Sequence, residues 1–94
     1  MAGTKHLDYK VPGGKMIRLD IAIDDGTVTS IRITGDFFMY PEEAVESIER
    51  FLTGKKISES LAAETDSFLK RKGIRLVGLA ADDIAEAISM AAGR

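Results

Sequence analysis

The sequence predicts an α+β domain in which a small antiparallel β-sheet comes first and about three helices cover one of its faces. Alternating apolar and polar residues, the pattern of a half-buried strand, run through residues 15–34, and apolar residues at helical spacing follow Pro41. Strands that precede helices do not fit the alternating units of a doubly wound parallel sheet. The length of 94 residues predicts a single domain over residues 1–94.

A β-hairpin is the best-defined element of this sheet. Residues 15–24 alternate in polarity and lead into Asp25-Gly26, a pair that favours the type I′ turn because that turn needs positive φ at both positions. The return strand is predicted over residues 27–34. Residues 7–11 also alternate and are a candidate third strand. The hairpin side chains predicted to face the core are Leu19, Ile21, Ile23, Ile31 and Ile33.

Three helices are predicted after the hairpin. The first spans about residues 41–53, with a proline and two acidic residues in its first turn. The second starts near Ser58 and stops at Gly73, and the third opens at Asp82. Residues 74–79 are a candidate edge strand. The helical side chains predicted to face the core are Val45, Ile48, Leu52, Leu61, Thr65, Phe68, Leu69, Ile84, Ala87, Ile88 and Ala91.

The composition argues against several classes of protein. The net charge of −2 and the pI of about 5.3 disfavour a nucleic-acid or anionic-membrane binder. The absence of cysteine excludes disulfides, thiol catalysis and zinc–thiolate sites. Residues 1–6 lack the apolar stretch of a signal peptide, so a cytoplasmic location is expected. The initial Met1 suggests an independently made chain.

The sequence predicts neither catalytic residues nor a metal site. His6 is the single histidine and is expected in a loose N-terminal segment. Two pairs of neighbouring aspartates are interpreted as structural. Asp24 and Asp25 belong to a turn, and Asp82 and Asp83 begin a helix. An independent enzyme is therefore the least favoured class.

Gly13, Gly14 and Lys15 form a glycine–lysine turn for which two interpretations stay open. Paired glycines let the backbone approach a phosphate, and the lysine supplies positive charge. The P-loop pattern is not met, because Tyr9 stands where it needs a glycine and Met16 where it needs Ser or Thr. The turn is either a flexible lead into the hairpin or a loop that contacts a phosphate or a partner.

The run Asp36, Phe37, Phe38, Met39 and Tyr40 forms an apolar corner after the hairpin. Four bulky side chains in a row cannot share one side of a strand, because successive side chains point to opposite faces. Two of them are expected to join the core, and Met39 and Tyr40 are expected to point outwards towards a protein interface. The alternative is a corner buried wholly within the domain. Asp36 is expected either to cap the next helix or to contact the partner.

Residues 10–56 resemble the C-terminal accessory domain of lipoate–protein ligases. The resemblance rests on the glycine–lysine turn, the Asp-Gly hairpin turn and the Gly-Asp-Phe-Phe corner at matching spacing, and the later helices agree in arrangement. The residues concerned are Gly13, Gly14, Lys15, Met16, Ile17, Arg18, Asp25, Gly26, Ile31, Arg32, Ile33, Thr34, Gly35, Asp36, Phe37 and Phe38.

The resemblance implies a role in lipoylation. In that family a catalytic domain binds lipoate and ATP, forms lipoyl-adenylate with release of pyrophosphate, and transfers the lipoyl group to a lysine of an acceptor domain. In some prokaryotes, notably archaea, the accessory domain is a separate small subunit, and this chain is similar to that form. The implied assembly is a heterodimer with a catalytic subunit, needed for the adenylation step. It uses ATP, Mg²⁺ and lipoate, none of them bound by this chain alone.

The resemblance also suggests roles for the two motifs. Lys15 would face the nucleotide or lipoyl pocket of the catalytic subunit, and the apolar corner would be shared between the core and the subunit interface. Two other classes stay open: a stand-alone interaction module without a role in lipoylation, and a small α+β nucleic-acid binder, which the acidic pI disfavours.

Overall fold

A computed structural model of the chain describes residues 3–93; Met1, Ala2 and Arg94, at the ends of the predicted domain, lie outside them. Across the described residues the chain forms five strands and three helices, in the order β1 (Thr4–Lys10), β2 (Met16–Asp24), β3 (Thr27–Gly35), β4 (Phe38–Tyr40), α1 (Ala44–Leu52), α2 (Leu61–Lys72), β5 (Arg75–Val77) and α3 (Ala81–Ala91). The predicted α+β class is confirmed. No helix within residues 3–93 has the length and apolarity needed to cross a membrane.

The larger sheet is antiparallel, with β2 between β1 and β3. The turn from β2 to β3 places Asp25 at φ 51° and Gly26 at φ 74°, the two positive values that a type I′ turn requires. The candidate third strand forms as β1, which pairs with β2 from Thr4 to Lys10 and so begins earlier than predicted. The candidate edge strand forms as β5, but it pairs with β4 in a separate two-stranded ribbon.

The helices cover one face of the larger sheet. α1 packs on β3, α3 packs on β1 and β2, and α2 packs on α3. The fully buried side chains of this core are Ile17, Leu19, Ile21, Val28, Ile48, Leu52, Ile57, Leu61, Thr65, Ile84 and Ile88. The Thr65 hydroxyl donates to the Leu61 carbonyl at 2.8 Å, so this buried polar group is satisfied. Each large aliphatic side chain contributes about 1.5–3 kcal/mol on burial, which makes this layer the main source of stability.

Two helices begin later than the sequence predicts. α1 begins at Ala44, because the residues after Pro41 form a turn closed by the Ala44 N–H donating to the Pro41 carbonyl at 3.0 Å. α2 begins at Leu61 rather than near Ser58, since the Leu61 N–H donates to the Ser58 carbonyl at 3.1 Å and closes another turn. In both places a turn occupies the positions that the sequence assigns to the first helical turn.

His6 lies in β1, so the prediction of a loose N-terminal position is wrong. Its Nε2 atom is 2.9 Å from Asp8 Oδ1, and its Nδ1 atom is 2.9 Å from Asp20 Oδ1 on β2. Asp8 is also 3.3 Å from the Arg18 Nε atom. The hydrogen bond to Asp20, followed by the charge of Asp8, raises the pKa of His6 above its usual 6.5. The sheet face opposite the helices thus carries a network of charges.

The raised pKa predicts a pH-dependent contribution of His6 to stability. A group whose pKa is raised by folding stabilises the fold below its unfolded pKa, and the contribution is lost as the pH rises through the folded pKa. We expect His6→Gln to lower the free energy of unfolding at about pH 5.5 and to have less effect at about pH 8.5. Urea unfolding of both proteins at the two pH values measures this. An equal difference at both values would show that His6 is not held as a cation between the carboxylates.

Candidate functional site

The structure brings the glycine–lysine turn and the apolar corner together at Met16. The Met16 N–H donates to Asp36 Oδ1 at 2.7 Å, and the Met16 carbonyl accepts from the Asp36 N–H at 3.3 Å. At Gly35 a side chain would collide with this same carbonyl and with the Phe37 ring, so the corner needs glycine there. Asp36 therefore anchors the corner to the start of β2. Its carboxylate accepts this bond and does not cap the next helix.

The glycine–lysine turn is closed by its own hydrogen bonds. The Val11 N–H donates to the Lys15 carbonyl at 2.9 Å, and the Gly14 N–H donates to the Val11 carbonyl at 2.9 Å. The Lys10 ammonium donates to the Gly14 carbonyl at 2.5 Å and to the Val11 carbonyl at 3.3 Å. These bonds close the turn and define the position of the Lys15 backbone. Whether the turn contacts a phosphate or a partner stays a prediction.

Gly78 is the third part of the site, and no motif in the sequence marks it. Its carbonyl accepts the Lys15 N–H at 2.9 Å, and a Cβ on Gly14 would lie 2.6 Å from that carbonyl oxygen. Gly78 has φ 97°, and a side chain there would collide with the aliphatic stem of Lys15, which lies across it. The Lys15 ammonium is exposed and makes no hydrogen bond or ion pair within residues 3–93.

The corner residues 38–40 form β4, and their pairing with β5 decides which way each side chain points. Met39 is opposite Leu76 and is buried, whereas Phe38 and Tyr40 are 57% and 53% exposed. The prediction that Met39 points outwards is wrong, and the outward pair is Phe38 and Tyr40. The reason is the two-residue period of a strand: once these three residues are extended, the first and third must share a face.

The corner is thus divided as the sequence suggests, with two side chains inwards and two outwards. Phe37 is half-buried against the core, next to the buried Met39. On β5, Val77 lies opposite Phe38 and Arg75 lies opposite Tyr40, and both are exposed. We call the outward side chains of the two strands the ribbon face; it consists of Phe38, Tyr40, Arg75 and Val77. An open groove of about 340 Å³ runs beside it, between the corner and the start of α1.

The burial of Met39 predicts a large difference between neighbouring substitutions. Met39→Ala should lower the free energy of unfolding by about 2–4 kcal/mol, because it leaves a cavity under β4. Phe38→Ala, on the adjacent exposed position, should change it by about 0.5 kcal/mol or less. Urea unfolding of the isolated chain compares the two. Similar losses for both variants would contradict the inward orientation of Met39.

The described residues offer no metal site, and the cluster of His6, Asp8 and Asp20 lies exposed on the face of the sheet opposite the helices. No three His, Cys, Asp or Glu side chains within residues 3–93 are arranged to hold a metal ion. Two of the lysines near the helix ends are paired within the chain: Lys55 lies 3.2 Å from Glu64 and 4.5 Å from the centre of the Phe51 ring, and Lys70 lies 3.0 Å from Asp66. The hydrogen bond from Ser60, followed by that from Lys55, lowers the pKa of Glu64.

The site therefore combines an exposed lysine, whose backbone N–H is bonded to the Gly78 carbonyl, with the exposed aromatic side chains of the adjoining ribbon. The chain belongs to the lipoate–protein ligase C-terminal family: the family model described as "Bacterial lipoate protein ligase C-terminus" matches residues 3–88. This match extends far beyond the short motifs that carried the resemblance, so the resemblance is not a coincidence of motifs.

Two comparisons with individual proteins agree with this family. The chain is 29% identical to lipoate-protein ligase A subunit 2 of Thermoplasma acidophilum over 90% of its own length and 92% of that protein. It also superposes, with a TM-score of 0.76 and 26% identity, on a chain from a structural study of an archaeal lipoylation system. That study describes a bi-partite lipoate protein ligase and its E2 lipoyl domain from Thermoplasma acidophilum, and the match covers 93% of this chain and 96% of that one.

Proposed function

We propose that the chain is the accessory subunit of a two-part, cytoplasmic lipoate–protein ligase and that it acts bound to a separate catalytic subunit. One observation carries this proposal: the chain matches, in length and in sequence, a protein that is named as a ligase subunit. The match covers 92% of that protein. The accessory subunit would be needed for activation of lipoate to lipoyl-adenylate, before transfer of the lipoyl group to a lysine of an acceptor domain.

The activation step joins two anions. A carboxylate oxygen of lipoate attacks the α-phosphorus of ATP, the bond to the β-phosphate oxygen breaks, and pyrophosphate leaves. In the second step the acceptor lysine amine attacks the lipoyl carbonyl, the bond to AMP breaks, and an amide forms. The proposal places ATP, Mg²⁺ and lipoate on the catalytic subunit, as the resemblance to the family implies for a separate accessory subunit.

Lys15 is the residue of this chain best suited to assist the activation step. Two anions repel each other as they approach, and a cation held in place beforehand stabilises the transition state without reorganising. The backbone of Lys15 is fixed by its bond to Gly78 at 2.9 Å, and its ammonium has no partner within residues 3–93. Docking of the subunits would place this unpaired charge at the nucleotide or lipoyl pocket of the catalytic subunit.

The complete reaction tests the proposal. A catalytic subunit from the same organism is given lipoate, ATP, Mg²⁺ and an acceptor domain, with and without this chain, and the mass of the acceptor is followed. We expect the acceptor to gain one lipoyl group at a useful rate only when the chain is present. Equal rates in the two reactions would show that the chain is not the accessory subunit of that ligase.

A further inference from the structure

We propose that the ribbon face is the surface through which this chain docks onto the catalytic subunit. This rests on the proposed function and adds to it the residues that hold the complex together. Within residues 3–93, four large apolar side chains are exposed. Three of them are on the ribbon face: Phe38 at 57%, Tyr40 at 53% and Val77 at 43%. The fourth, Met90 at 40%, lies on α3. Three of four such side chains on one short ribbon form a continuous apolar patch, the usual sign of an interface.

The exposed side chains of the ribbon face do not pack in the core. Met39 and Leu76 lie opposite each other on the inner side of the ribbon and attach it to the domain. Phe38 and Tyr40 point the other way, where polar residues would serve equally well on a free surface. Their apolar character is therefore accounted for by contact with another molecule.

The composition of the ribbon face fits a protein partner with an acidic rim. Tyr, Phe and Arg are enriched at protein interfaces, and the ribbon face contains one of each. Arg75, opposite Tyr40, makes no side-chain hydrogen bond or ion pair within residues 3–93, and the same holds for the Lys15 ammonium. The Arg75 cation lies beside the apolar patch, where an acidic group on the partner would complement it, whereas the Lys15 cation is left for the nucleotide or lipoyl pocket.

The catalytic subunit is the partner that this surface fits best. The relative that matches almost the full length of the chain is named as a ligase subunit. A subunit on a separate chain is held to the other subunit through a non-covalent interface. The ribbon face also continues directly into the site of Lys15, because Val77 precedes Gly78, whose carbonyl binds the Lys15 N–H. A partner seated on Phe38 and Val77 would therefore bring its own site next to Lys15.

Docking and the action of Lys15 should be separable. A change on the ribbon face should raise the concentration of this chain needed for half-maximal adenylation and leave the rate at saturation unchanged. Removal of the Lys15 ammonium should do the reverse. This split distinguishes a docking surface from a catalytic one, and both from a general loss of folding.

The test is the dissociation constant of the complex, measured by calorimetry with the purified catalytic subunit. We expect Phe38→Asp and Val77→Asp each to weaken binding by about 30-fold or more, the effect of losing a central interface residue. The matched control is Met90→Asp, which introduces the same charge at an exposed apolar position near the far end of α3 and should alter binding by less than about 2-fold. Circular dichroism checks the fold, and Phe38→Ser and Tyr40→Ser provide milder variants if an aspartate unfolds the ribbon.

The outcomes separate the two proposals. If the unmodified chain binds the catalytic subunit and the folded ribbon variants bind equally well, the docking surface is elsewhere and the proposed function stands. If the unmodified chain does not bind, both proposals fail. If the ribbon variants lose only self-association of the chain, the occupant is a second copy and the docking proposal is overturned.

Discussion

Lys15→Ala is expected to lower the rate of lipoyl-adenylate formation by about 100-fold at saturating concentrations of both subunits, the usual effect of removing one group that stabilises developing charge. The dissociation constant of the complex should stay within about 2-fold, because the lysine is outside the ribbon face. Pyrophosphate release in the presence of lipoate and ATP measures the rate. Lys15→Arg should retain part of the activity, because arginine keeps the positive charge but carries it on a planar guanidinium instead of an ammonium.

The control for this change is Lys72→Ala, which removes an exposed lysine from the last turn of α2. Lys72 is exposed and forms none of the hydrogen bonds of the glycine–lysine turn, so its removal should leave adenylation unchanged. Equal rates for Lys15→Ala and the unmodified chain would remove Lys15 from the mechanism. Equal losses for both lysine variants would point to a general effect of net charge.

Gly78→Ala is expected to lower the rate of adenylation by about as much as Lys15→Ala does, although it leaves Lys15 itself unchanged. A methyl group at position 78 would collide with the stem of Lys15 and force the ammonium away from its place. The left-handed backbone at this glycine, φ 97°, adds a stability cost of about 1–2 kcal/mol for any other residue. The rate of pyrophosphate release and the free energy of unfolding are both measured.

Gly54→Ala supplies the matched control for Gly78→Ala. Gly54 has a comparable φ of 91°, but a methyl group there would meet nothing within 4 Å. The two substitutions should share the cost of the left-handed backbone, with an added cost at Gly78 because the Lys15 stem must shift, and only the one at Gly78 should slow adenylation. A rate for Gly78→Ala as high as that for Gly54→Ala would show that the position of Lys15 over Gly78 does not matter.

Most of the fold could be predicted because its signals are local. Period-two alternation and the Asp25-Gly26 pair specify the hairpin, and apolar spacing with Gly73 at the end specifies α2, which does end at Gly73 in a left-handed conformation. Each of these signals lies within the element that it describes. The sequence places the starts of α1 and α2 too early, since Pro41 and Ser58 open turns that precede these two helices.

The site could be predicted only in part, because its parts meet through contacts between distant segments. The sequence marks the glycine–lysine turn and the apolar corner, but nothing in it shows that Met16 joins them or that β4 pairs with a three-residue strand after α2. That pairing decides that Phe38 rather than Met39 points outwards. The same applies to Gly78, whose importance comes from the lysine that lies across it.

Comparison of the two half-reactions shows whether this chain acts in adenylation or in transfer. Pyrophosphate release from ATP and lipoate by the catalytic subunit is measured with and without this chain, beside lipoyl transfer from preformed lipoyl-adenylate to an acceptor domain. The expected result is that the chain strongly stimulates pyrophosphate release and changes transfer little. Pyrophosphate release at the same rate without the chain would contradict it, and so would stimulation confined to the transfer step.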